Sequence, residues 1–327
     1  MIQPNDIAAA RARLAGAQRL LAITHINPDG DAIGSLLGFG LALREAGKDV
    51  TFYCADPAPE MFKYLTAFDE ITAQPQGDFE MVVVLDAADE RRMGPIAKTL
   101  GRRPDLLFDH HITNPAFADI NFIDGEAAST GELVAELLEP LGLPLTQPIA
   151  EALLTGIVTD TLGFKTIGTT PKTLALTQKL MLAGAPLSKI YDESLFKRSF
   201  AATRIWGEGL VHVQMADRLV WTSLPLAARA ASGYFAMDDA DLINVLTSVR
   251  EAEVALIFVE RADGIVKVSW RVMVQGFSVA PLAKSFGGGG HAPAAGADIP
   301  GTLAEVEARV LAATRAALSM NGARASL

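Results

Sequence analysis

Five consecutive apolar residues, Met81-Val82-Val83-Val84-Leu85, run straight into a carboxylate, Asp86. No polar residue interrupts the run, so neither face of the segment is suited to water. Strands buried on both faces belong to parallel sheets, which carry helices on both sides. Two more segments share this form: Leu20-Leu21-Ala22-Ile23 leads into Thr24-His25-Ile26-Asn27-Pro28-Asp29-Gly30-Asp31, and 105–109 ends in Asp109-His110-His111. A further strand is expected at 49–54, after a helix stop at Gly47. Between them, Ile33, Leu36, Leu37, Leu41 and Leu43 sit among small residues, as in a buried helix. The pattern predicts an α/β fold with an N-terminal parallel sheet. Ligands of such sheets bind beyond the carboxyl ends of the strands, and three expected strands end there in imidazoles or carboxylates.

The rest of the chain completes two domains, 1–187 and 206–327, joined by a mixed, charged connector at 188–205. A helix over 5–18 is capped by Asn5 or Asp6. Ser129-Thr130-Gly131-Glu132 reads as a capping box opening a helix to Leu141. A second helix covers 147–159 and ends in Thr159-Asp160-Thr161, with others from Pro171 and Pro186. The second half changes character to a smaller α+β module. It has expected hairpins at 210–215/219–224 and 254–261/265–274, and helices at 239–249, 278–285 and 302–319. Phe286 is followed there by Gly287-Gly288-Gly289-Gly290-His291.

The net charge of −10 argues against gripping a long nucleic-acid duplex by its phosphates. The charge is uneven: residues 1–195 hold 15 Lys and Arg against 26 Asp and Glu, while 196–327 hold 13 against 12. Cations bound to the first half would offset part of its excess. The single cysteine, Cys54, makes no internal disulfide, and Met1-Ile2-Gln3-Pro4-Asn5-Asp6 lacks the character of a signal peptide. No apolar run is long enough for a bilayer. A cytoplasmic, membrane-free protein is the expectation.

Of five histidines, His25, His110, His111 and His291 fall inside these motifs. His212, between Val211 and Val213, reads as a strand residue. Pro28 and Gly30 let the first turn bend, so that His25, Asp29 and Asp31 aim into one space; the alternative is an ordinary turn with Asp31 capping the helix. With Asp86, Asp109, His110, His111 and Asp160 these residues could build a two-metal site. Mixed carboxylate and imidazole donors suit Mn²⁺, Mg²⁺, Fe²⁺ or Zn²⁺. Zinc-protease spacing, P-loops and serine-nucleophile patterns are absent.

His25-x-x-Pro28-Asp29-x-Asp31-Ala32-x-Gly34-Ser35, Asp86, Asp109-His110-His111 and Thr159-Asp160 resemble, in order, the four motifs of the DHH phosphoesterases. Ser269-x-Arg271 and Gly287-Gly288-Gly289-Gly290-His291 with Ala294-Ala295-Gly296 resemble the DHH-associated C-terminal domain. Asp109-His110-His111-Ile112-Thr113-Asn114-Pro115 and Ser129-Thr130-Gly131-Glu132-Leu133 are similar to the stand-alone oligoribonuclease and pAp-phosphatase subgroup, the nanoRNases. The resemblance implies two divalent cations, Mn²⁺ by family habit with Mg²⁺ admitted. It implies His25 and Asp29 on one, Asp31, His110 and Asp160 on the other, and Asp86 bridging. It gives His111 a place facing the substrate phosphate and Asp109 the task of orienting the histidines. Ser269, Arg271, Gly288, Gly289, Gly290 and His291 would bind substrate in a cleft between the domains. Pro293 and Val272 depart from the family pattern, where Lys or Arg and Ser are common.

The implied reaction is metal-assisted hydrolysis of short oligoribonucleotides (nanoRNA) or pAp, by a protein for which a homodimer is open. Rival readings are a cyclic- or linear-dinucleotide phosphodiesterase, a manganese inorganic pyrophosphatase and a non-enzymatic nucleotide-binding module. Ser269-x-Arg271 and the glycine run weigh against the pyrophosphatase.

Overall fold

A computed structural model describes residues 3–325 of the chain, with side chains through Met320. Met1, Ile2, Ser326 and Leu327, which open and close the expected domains, lie outside the described residues. The chain divides into two units, Met1–Lys197 and Arg198–Leu327.

The first unit runs α1 (Pro4–Gly16), β1 (Arg19–Ile23), α2 (Gly30–Glu45), β2 (Asp49–Tyr53), β3 (Met81–Leu85), α3 (Ile96–Thr99), β4 (Leu106–Asp109), β5 (Ile120–Ile123), α4 (Thr130–Leu141), α5 (Gln147–Asp160), α6 (Pro171–Leu182) and α7 (Leu187–Tyr191). Its sheet is wholly parallel, in the order β2-β1-β3-β4-β5. Every residue of β3 is buried, as its unbroken apolar run requires. One face, with Leu20, Val83, Leu85 and Phe108, packs under α2, α4 and α5. The other, with Leu21, Ile23, Val82 and Val84, lies under Met93 and Ile96. Because β1 lies between β2 and β3, the chain leaves it toward opposite sides of the sheet. This reversal of strand order opens a crevice at the carboxyl ends of β1 and β3.

Glycine sets the spacing of the central helices. A Cβ on Gly34 of α2 would sit 2.5 Å from the Ala152 carbonyl oxygen and 2.7 Å from the Gly156 nitrogen of α5. The two helices therefore pack backbone on backbone, and α2 is buried from Gly30 to Leu43.

The second unit runs α8 (Phe200–Val211), β6 (Gln214–Ala216), β7 (Leu219–Leu224), α9 (Leu226–Ser232), α10 (Leu242–Leu246), β8 (Val254–Glu260), β9 (Ile265–Val272), α11 (Ala280–Ser285), β10 (Gly289–Gly290), β11 (Ala294–Pro300) and α12 (Leu303–Ala325). Its sheet has the order β10-β11-β9-β8-β7-β6 and is antiparallel except between β7 and β8. Trp270 anchors the core that includes Val306 and Val310 of α12. A separate core lies between the opposite face and α8, α9 and α10.

Several local expectations are corrected. The first helix starts at Pro4 with Gln3 as its cap, because the fixed φ of proline suits a first helical turn. Residues 210–211 end α8 and His212 caps it, so the first strand of that hairpin begins only at Gln214 and His212 is no strand residue. The connector 188–205 holds most of α7, a π-helical turn at Asp192–Phe196 and the start of α8. Strands β5 and β11 were not expected. β11 is rich in Ala and Gly with a terminal Pro, yet it pairs with β9 over seven residues, tertiary pairing overriding weak propensity. Gly289 and Gly290 form the short strand β10 rather than a free loop.

Candidate metal centre

Strands β1, β3 and β4 each run out into a candidate ligand. Thr24 donates from Oγ1 to the Leu85 carbonyl (3.0 Å), tying the exits of β1 and β3 together. His25 and Asp86 follow at once, 98 % and 98 % buried, with His25 Nε2 3.5 Å from Asp86 Oδ2. Asp86 has a left-handed backbone (φ 60°), a conformation that Asp adopts more readily than most residues and that turns the chain sharply after β3. After β4, His110 Nε2 lies 3.8 Å from Asp86 Oδ1, 4.0 Å from Asp31 Oδ2 and 3.4 Å from Asp160 Oδ2. Asp31 arrives at the start of α2 and Asp160 at the end of α5, so the close packing of those helices brings this pair together.

Asp29, not Asp31, caps α2: its Oδ1 accepts from the Asp31 and Ala32 amides at 3.1 and 3.0 Å. The same oxygen is 3.9 Å from His25 Nε2. Two groups result, His25–Asp29–Asp86 and Asp31–His110–Asp160, each with donor atoms close enough for one ion. Asp86 Oδ2 faces the first group and Oδ1 the second. A third cluster, Asp86–His110–His111, overlaps both. His111 Nδ1 lies 2.8 Å from Asp109 Oδ1 and 3.8 Å from Asp86 Oδ1. Asp109 is fully buried at the end of β4 and is absent from all three groups. The floor of the centre is buried, while Asp29, His111 and Asp160 remain partly open to solvent.

Supporting residues escaped the sequence reading. Asp31 accepts from the Thr130 amide at 2.6 Å and the Gly131 amide at 2.8 Å, both at the α4 N-terminus, where the helix dipole favours an anion. Thr130 Oγ1 donates to Asp86 Oδ1 (2.8 Å), and Asn114 Nδ2 donates to Asp109 Oδ2 (2.5 Å) and to the Ala87 carbonyl (2.9 Å). Arg92 Nη2 lies 2.7 Å from His25 Nδ1. Ser129-Thr130-Gly131 reads in the sequence as a cap and as part of the subgroup resemblance, with no contact to the acidic residues expected of it; Ser129 is a cap, accepting from the Glu132 amide. The reciprocal half of the box is missing, since Glu132 accepts from Ala128 and Thr173 instead. Helix starts facing a carboxylate were the available signal.

Packing these carboxylates together costs electrostatic energy. Burial, and then Asp160, pushes Asp31 up to about 7; burial, and then Asp31, raises Asp86 well above its usual range. Burial raises Asp160 too, with His110 opposing. Burial alone would lower His110, but Asp31, Asp86 and Asp160 outweigh it and raise it. The Asp109 hydrogen bond raises His111, and burial lowers His25. Oxygen and imidazole donors held this tightly fit divalent cations, which would relieve the repulsion.

This arrangement fixes a stability trend. A carboxyl raised from 3.8 to about 7 keeps a proton in the folded chain that the unfolded chain releases, so stability falls as pH rises through that window. His110 and His111 act in the same direction and His25 against it. The metal-free protein is expected to lose melting temperature between about pH 4 and pH 7. Mn²⁺ at a fixed concentration, one hundred times its dissociation constant at pH 8, should restore about 2.7 kcal/mol there, with a smaller gain in melting temperature at pH 5, where protons compete for the same donors. Scanning calorimetry with and without chelator checks this; an equal gain at both pH values would contradict it.

In the second unit, Ser269 and Arg271 alternate with buried Val268 and Trp270 and so share the face of β9 opposite Trp270. They pair with Gly296 and Ala294 of β11, while Gly289 and Gly290 pair with Gly296 and Ala295. Gly290 has φ 140°, and His291 lies exposed in the turn that follows. Gly288 precedes that strand, its amide bonded to the Ala283 carbonyl at 2.9 Å. The two departures from the family pattern meet here, the Val272 amide donating to the Pro293 carbonyl at 2.8 Å. Among the described residues no helix is long and apolar enough to cross a membrane.

Comparison with known proteins agrees with both units. The model of the DHH family N-terminal domain matches residues 19–157, and that of the DHHA1 domain matches 231–320. The chain is 35% identical over 308 residues to the bifunctional oligoribonuclease and PAP phosphatase NrnA of Thermus thermophilus, covering 91% of this chain and 90% of that protein. The crystal structure of an exopolyphosphatase-related protein from Bacteroides fragilis superposes with a TM-score of 0.90 at 24% identity, over 98% of this chain and 99% of that one. RecJ from Thermus thermophilus, solved in complex with Mn²⁺, shares the fold at a TM-score of 0.55 and 13% identity, over 96% of this chain and 54% of its own. With both domain models matched in order, and a relative alike over nine-tenths of each chain, the chain belongs to the DHH family of phosphoesterases.

Proposed function

We propose that this protein hydrolyses phosphoester bonds in short oligoribonucleotides and in pAp, using two divalent cations, Mn²⁺ in preference. The observation that carries the two-cation reading is the position of Asp86, a buried carboxylate with one oxygen toward His25 and the other toward His110. His25 and Asp29 would hold one ion, Asp31, His110 and Asp160 the other, and Asp86 both. Such ions neutralise charge on phosphoryl oxygens and acidify water. The substrate class rests on the named activity of the Thermus thermophilus relative.

The chain's own groups do the rest. Asp109, held by Asn114, accepts a hydrogen bond from His111 Nδ1–H and favours the imidazolium form, whose Nε2–H would then pass its proton to the departing oxygen. Arg271 offers its fork to a substrate phosphate while Nη1 also donates to the Trp270 carbonyl at 3.0 Å. Ser269, His291 and the amides of Gly289 and Gly290 add donors, while Gly288, whose own amide is bonded to Ala283, leaves room for a close approach. Few phosphates are engaged, so chain length beyond a few nucleotides adds little.

A substrate panel tests this: pAp, RNAs of two, five and about twenty nucleotides, cyclic di-AMP and pyrophosphate, each with Mn²⁺. Efficient turnover of pAp and of the short RNAs, falling off on the long one with weak salt dependence, is expected. Rates that rise with length and collapse in salt would contradict it, as would preference for pyrophosphate or the cyclic dinucleotide. On pAp, Arg271→Ala should raise KM about 10- to 100-fold, as loss of a charged hydrogen bond does, with Mn²⁺ content unchanged. Loss of Mn²⁺ from that variant would contradict the assignment.

A further inference from the structure

Arg92 sits in a short helical turn, Glu90–Met93, just beyond β3, and the turn is pinned by the Ile26 amide donating to the Arg92 carbonyl at 2.8 Å. Its guanidinium lies against His25, a residue of the candidate metal centre. Nη2 lies 2.7 Å from His25 Nδ1, and its charge acts on His25 and His111 alike. The buried Nε has no hydrogen-bond partner. A permanent cation has therefore been placed against a histidine that would itself hold a cation, with one of its donors unused.

The ring nitrogen cannot satisfy both of its neighbours. His25 Nδ1 is 2.7 Å from Arg92 Nη2 and 2.8 Å from the Ile26 carbonyl oxygen. Carrying a proton, it donates to Ile26; lacking one, it accepts from Arg92; one nitrogen does one or the other. A neutral histidine that offers Nε2 to an ion carries its proton on Nδ1. His25 then bonds Ile26, and Arg92 Nη2 loses its acceptor. Nε–H and the adjacent Nη2–H form one edge of the guanidinium, the edge that grips an oxyanion through two parallel bonds. A half-buried guanidinium with a buried, unpartnered Nε and a freed Nη2, beside two cation groups, calls for an anion.

We propose that Arg92 is a phosphate-holding residue of this site, freed to grip a phosphate when a cation occupies the His25 group. The proposal deepens the phosphoesterase reading and rests on it for the identity of the phosphate. In this role Arg92 binds one phosphate from the first unit, independently of Arg271. It also links the two ligands: cation loading should strengthen anion binding through a single side chain.

The test uses the full chain and two probes, inorganic phosphate for binding and pAp for turnover, with Arg92→Gln and Arg92→Lys. By titration calorimetry, Mn²⁺-loaded Arg92→Gln should bind phosphate about 10- to 100-fold more weakly than wild type, the usual span for a charged hydrogen-bonded contact. Arg92→Lys, which keeps the charge without the fork, should fall between. Without metal, wild type and Arg92→Gln should bind phosphate alike. Affinity for Mn²⁺ and melting temperature should stay near wild type, and kcat/KM on pAp should fall in parallel with phosphate affinity. Unchanged phosphate binding by loaded Arg92→Gln overturns the proposal. So does a loss of Mn²⁺ affinity or folding in both variants, which would make Arg92 a structural support of His25. If wild type turns over neither pAp nor short RNA, the substrate reading fails, while the phosphate titration still decides the role of Arg92.

Discussion

Asp86→Ala is expected to lower kcat on pAp by about 10³-fold or more. The effect should exceed the 10- to 100-fold typical of residues that merely orient a metal ligand, and at least match the loss of a principal transition-state contact. The reason lies in its two oxygens, one 3.5 Å from His25 Nε2 and the other 3.8 Å from His110 Nε2. Other carboxylates each serve one group, so their loss leaves the second group whole. Asp86 alone among the carboxylates belongs to two of the three groups, with His25 and Asp29 and with His110 and His111, so removing it takes a donor from both of these. The variant should still fold, because Asp86 is raised by burial and by Asp31, and its removal relieves that repulsion. Steady-state kinetics with metal analysis checks the expectation. Near-normal turnover with full Mn²⁺ content would rule out a shared role.

Gly34→Ala is expected to impair both stability and activity although Gly34 touches no substrate. Its Cβ would meet the backbone of α5, the Ala152 oxygen at 2.5 Å and the Gly156 nitrogen at 2.7 Å, and neither can swing aside as a side chain could. The helices must separate, at about 1–3 kcal/mol for an overpacked interior. Separation also moves Asp31, at the start of α2, away from Asp160, at the end of α5. A displacement near 1 Å can cost on the order of 10²-fold in rate. Urea unfolding and kinetics on pAp read the two effects. A variant as active and stable as wild type would show that α2 and α5 have room to spare.

What the sequence disclosed follows from which forces act locally. The run at Met81–Leu85 could be read directly because burial on both faces leaves no polar position in the strand. The gathering of His25, Asp86 and His110 was equally readable, since parallel strands place their carboxyl ends on one edge. Asp31 and Asp160 come together for another reason, the approach of two helices over small residues, which shows in the sequence only as scattered glycines. The links from Thr130 to Asp86, and from the Thr130 and Gly131 amides to Asp31, join positions about one hundred residues or fewer apart, with no periodicity to announce them. Arg92 lies in none of the sequence motifs, and only the fold brings it to His25. In the second unit, β11 was hidden by weak intrinsic preference and exists through its pairing with β9. His212 was misplaced because alternation with two valines mimics a strand where a helix ends.

The central claim is that one buried carboxylate serves two cations. Anomalous diffraction at the manganese edge, from crystals of the wild-type chain grown with Mn²⁺, tests it most directly. Two peaks are expected, one between Asp86 and the His25–Asp29 pair, the other between Asp86 and the group of Asp31, His110 and Asp160. A single peak, or peaks that leave Asp86 uncontacted, would contradict the account.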